Sequence, residues 1–135
     1  MTLRYMLDTN ICIFVLRGRG SPGLTARFEA EADRICISSV TLAELHHGVA
    51  KSGRQERNGQ ALSAFSARLP VLDFDPAAAE AYGPLRTDLE AAGTSIGPYD
   101  LMVAAQAASR TLIVVTNNRR EFDRVAGLKV EDWSA

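Results

Sequence analysis

Short apolar runs alternate along the chain with longer segments in which apolar residues recur every three or four positions. The short runs predict strands, and the longer amphipathic segments predict helices. The predicted strands cover 4–7, 35–37, 71–74, 112–116 and 128–130. The predicted helices cover 11–16, 22–32, 40–50, 57–68, 76–92 and 98–109. Proline follows a Ser, Asp or Gly at three of the predicted helix starts, as is common at the first helical position.

The strand candidates are apolar at nearly every position rather than at every second one. The run LIVVT at 112–116 is an example. Such runs are typical of strands that are covered by helices on both faces of a parallel sheet. We therefore predict an α/β fold with a five-stranded, mainly parallel sheet flanked by helices, forming one domain over 1–135. Ligands of such folds bind at the carboxyl ends of the strands.

Several acidic residues fall at this predicted edge of the sheet. Asp8 directly follows the first strand, where burial of a carboxylate requires pairing, protonation or a cation. Glu44 lies on the helix after the second strand, Asp100 lies in the first turn of a later helix, and Asn118 and Glu121 follow the fourth strand. Taken singly, each has an ordinary explanation as an exposed helical residue, a dipole partner or a cap. Together they predict a cluster of oxygen ligands.

Carboxylates that gather closely raise one another's pKa unless a cation joins them. A set of oxygen ligands alone suits Mg²⁺ or Mn²⁺ rather than zinc. Because such an ion can bind a phosphate and activate water, hydrolysis of a phosphodiester is the chemistry that the cluster favours.

Composition narrows the class of protein. The chain has 135 residues, of which 47% are hydrophobic and 23% charged, as is ordinary for a globular domain. Its two cysteines are too few for a disulfide framework or a four-cysteine zinc site. No apolar segment approaches the roughly 20 residues that span a bilayer, and the N-terminus lacks a signal-peptide pattern. We expect a soluble, cytoplasmic protein with no membrane partner.

The net charge is −1, so no overall field attracts a polyanion. Cations are nevertheless clustered, and local patches can bind nucleic acid on a near-neutral protein. Their ordinary explanation is solvated helix ends and loops. The candidate RNA-binding residues are Arg17, Arg19, Lys51, Arg54, Arg119 and Arg120.

The chain lacks residues that other enzyme classes require. A phosphoaspartate phosphatase requires a second Asp two residues after Asp8, where this chain has Asn10. Neither a phosphate-binding loop of the GxxxxGK[ST] type nor a GxGxxG turn is present. His46 and His47 are adjacent, so on a helix they point about 100° apart and are poorly placed as an acid–base pair for metal-free RNA cleavage.

The ordered set of motifs resembles the PIN-domain ribonucleases, specifically VapC-type toxins of type II toxin–antitoxin systems. The resemblance covers nearly the whole chain. It rests on the motifs MLDTNI, CISSVTLAELHHGV, VLDFD, GPYDLMVAAQA and VTNNRREFDRVAGLKVEDW.

The resemblance implies that Asp8, Glu44 and Asp100 hold Mg²⁺ or Mn²⁺, with Asp8 as a direct ligand. The fourth acid of the family falls at Asn118, so either Asn118 or Glu121 fills that position. The residues predicted to hydrogen-bond to these carboxylates or to support them are Thr9, Asn10 and Thr116.

The resemblance also implies hydrolysis by in-line attack of water, which leaves a 5′-phosphate, and a homodimer neutralised by a VapB-type antitoxin. The implied substrate is a tRNA cut in its anticodon stem-loop, with initiator tRNA as the first choice. The alternative is a PIN fold that binds RNA or a partner without cutting.

Overall fold

The computed structural model describes residues 2–134, and its centre is a sheet of five strands. The strands run β3-β2-β1-β4-β5 across the sheet, and all four neighbouring pairs are parallel. Their bounds are β1 Tyr5–Leu7, β2 Ile35–Ser38, β3 Val71–Leu72, β4 Ile113–Val115 and β5 Val130–Glu131. Every residue of β1, β2 and β4 is buried. The predicted fold class is confirmed.

Within residues 2–134, seven α-helices connect and cover the strands. They are α1 Thr9–Leu16, α2 Pro22–Ala30, α3 Ser39–Ala50, α4 Gln55–Ser66, α5 Pro76–Ala91, α6 Pro98–Ser109 and α7 Arg119–Phe122. None of the helices within residues 2–134 is long and apolar enough to cross a membrane.

The core has two layers because side chains alternate across the central strands. Tyr5 and Leu7 of β1 pack on one face with apolar residues of α1, α2 and α4. Met6 points to the opposite face and packs with residues of α5, α6 and α7. Burial on both faces explains why the strands lack polar positions, and it leaves the ends of the strands as the place for polar chemistry.

Polar side chains fix several helix starts, and one of them belongs to the predicted acid cluster. Asp8 caps α1 by accepting a hydrogen bond from the backbone N–H of Ile11 at 2.9 Å. The helix therefore begins at Thr9, two residues before the predicted start at Ile11. On the other face, buried Gln106 of α6 donates to the carbonyl oxygens of Leu72 and Asp73.

Other element bounds also differ from the prediction. The fourth helix begins at Gln55 instead of Arg57, and the second helix ends at Ala30, followed by a 3₁₀ turn. The last strand is Val130–Glu131, one residue beyond its predicted end, because Val114 and Val115 of β4 set its register. Short strands give a weak periodic signal, so their register depends on contacts that are distant in sequence.

Candidate active site

Asp8 lies directly after β1 at the carboxyl edge of the sheet, close to a depression that Glu44 and Asp100 line. The residue is 2% exposed. One carboxylate oxygen accepts from Ile11, and the other, Oδ2, accepts from the hydroxyl of Thr116 at the end of β4. Burial raises the pKa of Asp8 to about 6, and the negative charges of Glu44 and Asp132 add to the shift. Asp8 thus caps a helix, and its charged form is electrostatically unfavourable where it is buried.

Glu44 reaches the same depression from α3. The hydroxyl of Thr9, the first residue of α1, donates to Glu44 Oε1 at 2.7 Å. The contact links the start of α1 to α3 and holds the carboxylate of Glu44 close to Asp8. Thr9 and Thr116 thus each donate to one acid of the cluster, in the supporting position predicted from the sequence.

Asp100 lines the depression from the first turn of α6, and Glu121 lies beside Asp100. Glu121 Oε1 accepts from the backbone N–H of Gly97 at 2.6 Å, which holds it beside the first turn of α6. A Cβ atom on Gly97 would lie 3.4 Å from that oxygen and 3.8 Å from Asp100 Oδ2, so the two acids lie on either side of the space next to Gly97. Burial, followed by the charge of Glu121, raises the pKa of Asp100 to about 7.

The structure gives Asn118 and Glu121 different positions. The Asn118 side-chain amide donates from Nδ2 to Glu121 Oε2 at 3.0 Å. The backbone N–H of Asn118 donates to the Thr116 hydroxyl at 2.8 Å, and that hydroxyl in turn donates to Asp8. Glu121 therefore supplies the acidic group beside Asp100, while Asn118 orients Glu121 and supports Thr116.

The four carboxylates suit a divalent cation, although they do not enclose one as they stand. Within residues 2–134, no three His, Cys, Asp or Glu side chains are close enough to form a complete metal cage. Mg²⁺ usually keeps several waters and binds only one or two carboxylates directly, so it needs no such cage. The buried, mutually repelling oxygens of Asp8 and Asp100 are the donors that a hard cation would stabilise.

Asp132 is an acid that the sequence reasoning missed. It directly follows β5, at the same edge of the sheet, and its charge contributes to the raised pKa of Asp8. Its carboxylate is exposed and accepts from the backbone and hydroxyl of Ser134. The position after a fifth parallel strand was the available signal, but the strand itself was only weakly predicted.

The depression lined by Glu44 and Asp100 is a groove of about 770 Å³ between α1, α3, α4 and the start of α6, called the active-site groove below. Thr9, Asn10, Glu44 and Asp100 line its acidic part. A groove of this volume can admit a segment of a polymer. Asn10 also lines the groove, and among the contacts of residues 2–134 it makes no hydrogen bond to the carboxylates.

The structure separates the cations that the sequence grouped. Arg17 and Lys51 line the active-site groove, as does His47. Arg54 instead lines a separate, more open depression at the start of α4. Arg119 pairs with Asp123 on α7 at 3.3 Å.

Arg19 and Arg120 are exposed and line neither of these two cavities. Only Arg17 and Lys51 of the six predicted RNA-binding cations are therefore placed to meet a ligand in the active-site groove.

Comparisons with known proteins agree with this architecture. Residues 5–128 match the PIN domain. The tRNA(fMet)-specific endonuclease VapC of Shigella flexneri is 49% identical over 98% of this chain and 99% of its own length. Ribonuclease VapC2 of Haemophilus influenzae is 44% identical, covering 97% of this chain and 98% of the relative.

Solved structures extend the likeness to three dimensions. The DNA-bound VapBC structure from Salmonella typhimurium matches with a TM-score of 0.93 and 48% identity, covering 97% of this chain and 98% of that chain. VapBC2 from Rickettsia felis, bound to a promoter DNA fragment, gives 0.91 and 40% identity, with coverage of 98% and 99%. The chain therefore belongs to the PIN-domain family and, within it, to the VapC ribonucleases.

The contacts of Glu121 predict which residue completes the acid cluster. Glu121→Gln should lower cleavage about 10- to 100-fold, because it removes the charge beside Asp100. Asn118→Ala should cost only a few-fold, since it removes one hydrogen bond to Glu121. Cleavage rates at saturating Mg²⁺ measure both effects. Asp123→Asn is the matched control on the same short helix, and a larger loss from Asn118→Ala than from Glu121→Gln would reverse the two roles.

Proposed function

We propose that the chain is a metal-dependent endoribonuclease toxin that hydrolyses one phosphodiester of a tRNA. The observation that carries this proposal is the set of four carboxylates at the carboxyl edge, two of which have a raised pKa. PIN-domain ribonucleases generally use divalent metal ions. We propose Mg²⁺ as the ion, with Mn²⁺ as a substitute, because every donor in the cluster is an oxygen.

Asp8 and Asp100 would hold the ion, and Glu44 and Glu121 would complete its surroundings. The bound ion would supply charge stabilisation at the phosphate and a water of lowered pKa. Asp8 is a rigid donor because Ile11 and Thr116 hydrogen-bond to its two oxygens. Rigid donors need little reorganisation during reaction, which is the condition for strong electrostatic stabilisation.

The remaining acids suit the handling of the attacking water and its proton. Glu44 Oε2 stays free of the Thr9 hydrogen bond and can orient a water toward the phosphorus. Glu121, which lies beside Asp100 and accepts from the backbone N–H of Gly97, can accept the proton that the water releases. Attack in line with the leaving O3′ breaks the P–O3′ bond and leaves a 3′-hydroxyl and a 5′-phosphate.

The proposed substrate is the anticodon stem-loop of initiator tRNA. A phosphate reaches an acidic site within a groove most readily when the neighbouring bases are splayed apart, which a single-stranded loop permits more readily than a duplex. Arg17 and Lys51, on the walls of the active-site groove, can bind the flanking phosphates. Support also comes from relatives in Shigella flexneri and Salmonella typhimurium, both named tRNA(fMet)-specific endonucleases, at 49% and 48% identity.

A partner protein and a second copy of the chain belong to the same proposal. Similar chains occur in VapBC complexes from Salmonella typhimurium and Rickettsia felis. We propose by analogy that a VapB-type antitoxin neutralises this chain, that the toxin is a homodimer, and that it acts in the cytoplasm, where tRNA is found.

Mapping of new RNA ends tests the substrate. Total RNA incubated with the purified chain and Mg²⁺ should gain 5′-phosphate ends at one position in the anticodon loop of initiator tRNA. The Asp100→Asn variant provides the background. New ends that spread over messenger RNA, with anticodon loops intact, would contradict the proposed substrate but leave the nuclease assignment in place.

A further inference from the structure

Tyr99 is the only large hydrophobic side chain within residues 2–134 that is mainly exposed, at 56%. It lies in the first turn of α6, between Pro98 and Asp100. Its ring lines the active-site groove together with Glu44 and Asn10. An aromatic ring is therefore presented to the groove directly beside an acid of the proposed metal site.

The core does not require this ring. The next apolar residues of α6, Leu101 and Val103, are almost completely buried in the core layer on that face of the sheet. Tyr99 instead shares a helical face with Met102, three residues later, and both line the groove. An exposed tyrosine does not contribute the stabilisation that burial of its large apolar ring usually provides.

The backbone that carries Tyr99 is well fixed. The backbone N–H of Leu101 donates to the carbonyl oxygen of Gly97 at 2.9 Å, which closes the first turn of α6. Pro98 at the start of the helix restricts the backbone further. A tyrosine has only two side-chain torsions to order on binding, so a ring held on such a turn can bind a flat ligand at a small entropic cost.

We propose that Tyr99 is a stacking platform for the base of the nucleotide next to the scissile phosphate. This inference rests on the proposed ribonuclease function. Tyr99 and Asp100 both line the active-site groove, so a phosphate bound through the ion that Asp100 would hold brings the base of an adjoining nucleotide within reach of the ring. Splaying that nucleotide costs it a stacking partner, and the phenol ring replaces the lost partner.

The charges around the groove favour an RNA base as the ligand. Arg17 and Lys51 supply the cationic character of the groove, which suits phosphates on either side of the cut. The apolar side chains of Val40 and Met102 also line the groove. An RNA base is a flat, uncharged ring system flanked by phosphates, so it matches a groove with both cationic and apolar side chains.

Three substitutions separate stacking from other roles of Tyr99. Tyr99→Phe keeps the ring, Tyr99→Leu keeps apolar area without a ring, and Tyr99→Ala removes both. On a synthetic anticodon stem-loop with Mg²⁺, the Leu and Ala variants should raise KM about 10- to 100-fold, with kcat within about threefold. The Phe variant should stay within about twofold of wild type. Because the side chain is exposed, the melting temperature should remain unchanged.

A spectroscopic measurement gives a readout that a purely structural role would not move. In the non-cleaving Asp8→Asn background, 2-aminopurine placed beside the cut should fluoresce less in the complex that contains Tyr99 than in the complex with Tyr99→Leu, because its ring stacks on Tyr99. The lower fluorescence should persist with Tyr99→Phe.

An unchanged KM in the Leu and Ala variants, with wild-type cleavage intact, would overturn the inference and leave the proposed function standing. A loss with Phe as large as that with Leu would also overturn it, since it would assign the role to the hydroxyl. A Leu variant that loses affinity only for a protein partner would likewise overturn the inference. Absence of RNA cleavage by the wild-type chain would remove the proposed function and this inference together.

Discussion

Replacement of Asp8 or Asp100 by asparagine should abolish RNA cleavage, with a fall of at least about 10²- to 10³-fold, while the fold stays intact. Asp8→Asn and Asp100→Asn each remove one negative charge from the buried donor set without changing side-chain size. In Asp8→Asn, the new side-chain amide oxygen can still accept from the backbone N–H of Ile11, so the cap of α1 is retained. Initial rates on a labelled anticodon stem-loop, compared at equal protein concentration, measure the loss.

Asp88→Asn is the matched control, because Asp88 is an exposed acid on α5 and lies outside the active-site groove. It should cleave at the wild-type rate. Circular dichroism and melting curves should show that all three variants are folded. Wild-type activity in Asp8→Asn or Asp100→Asn would remove that carboxylate from the chemistry.

Without a divalent ion, the protein should lose stability as the pH rises from about 4 to about 7. The pKa of Asp8 rises from 3.8 in a free chain to about 6 in the folded protein, and that of Asp100 rises to about 7. The folded state therefore holds protons that the unfolded state has released, so the free energy of unfolding falls over this range. Below about pH 4 both states are protonated, and the stabilising contribution is fully present.

The shift of Asp8 alone corresponds to about 3 kcal/mol between pH 4 and pH 7.5. Asp8→Asn should remove the part of this pH dependence that Asp8 causes. It should also stabilise the metal-free protein at pH 7.5 by about 1–3 kcal/mol, reduced by the cost of losing the hydrogen bond from the Thr116 hydroxyl. Urea unfolding in EDTA at several pH values measures the change. Mg²⁺ should stabilise the wild type more than the variant.

Asp88→Asn should follow the wild-type profile in the same experiment, because its exposed carboxylate lies outside the cluster. A wild-type stability that stays level or increases between pH 4 and pH 7 would contradict the electrostatic cost assigned to Asp8 and Asp100. Equal stabilisation of wild type and Asp8→Asn by Mg²⁺ would place the ion elsewhere.

The sheet and its acidic edge were predictable because they follow from local pattern and simple topology. Strands that are apolar at every position must be covered on both faces, and parallel strands place their carboxyl ends together. Asp8 was identifiable on that basis because it interrupts an apolar segment at a strand end. Glu44 and Asp100 were identifiable only as members of a set, since each is an ordinary residue for its helix.

Features that depend on distant contacts could not be predicted. The helix α7 has only four residues and no side-chain cap, and it is stabilised by the complete burial of Phe122. The choice between Asn118 and Glu121 depends on the hydrogen bond between them and on Gly97, which is 24 residues away from Glu121. Local sequence carries no information about such a contact.

The directions in which surface side chains point could also not be predicted from the pattern of apolar and polar residues. Arg17 and Lys51 come from different helix ends and meet in the groove, whereas Arg119 pairs with its neighbour Asp123. Tyr99 is an apolar residue at a helix start, which normally predicts burial. Its exposure depends on which side of α6 faces the sheet, and that orientation is set by packing in three dimensions.

Cleavage of a synthetic initiator-tRNA anticodon stem-loop with and without chelator decides whether these acids form a metal-dependent ribonuclease site. We expect one cut in Mg²⁺ or Mn²⁺ that leaves a 5′-phosphate, no cut in EDTA, and recovery when the ion is restored. Asp100→Asn should remain inactive under every condition. Cleavage that persists in EDTA, or products that carry a 2′,3′-cyclic phosphate, would contradict the site. Tight RNA binding without any cut would instead indicate a PIN fold that binds RNA without cleaving it.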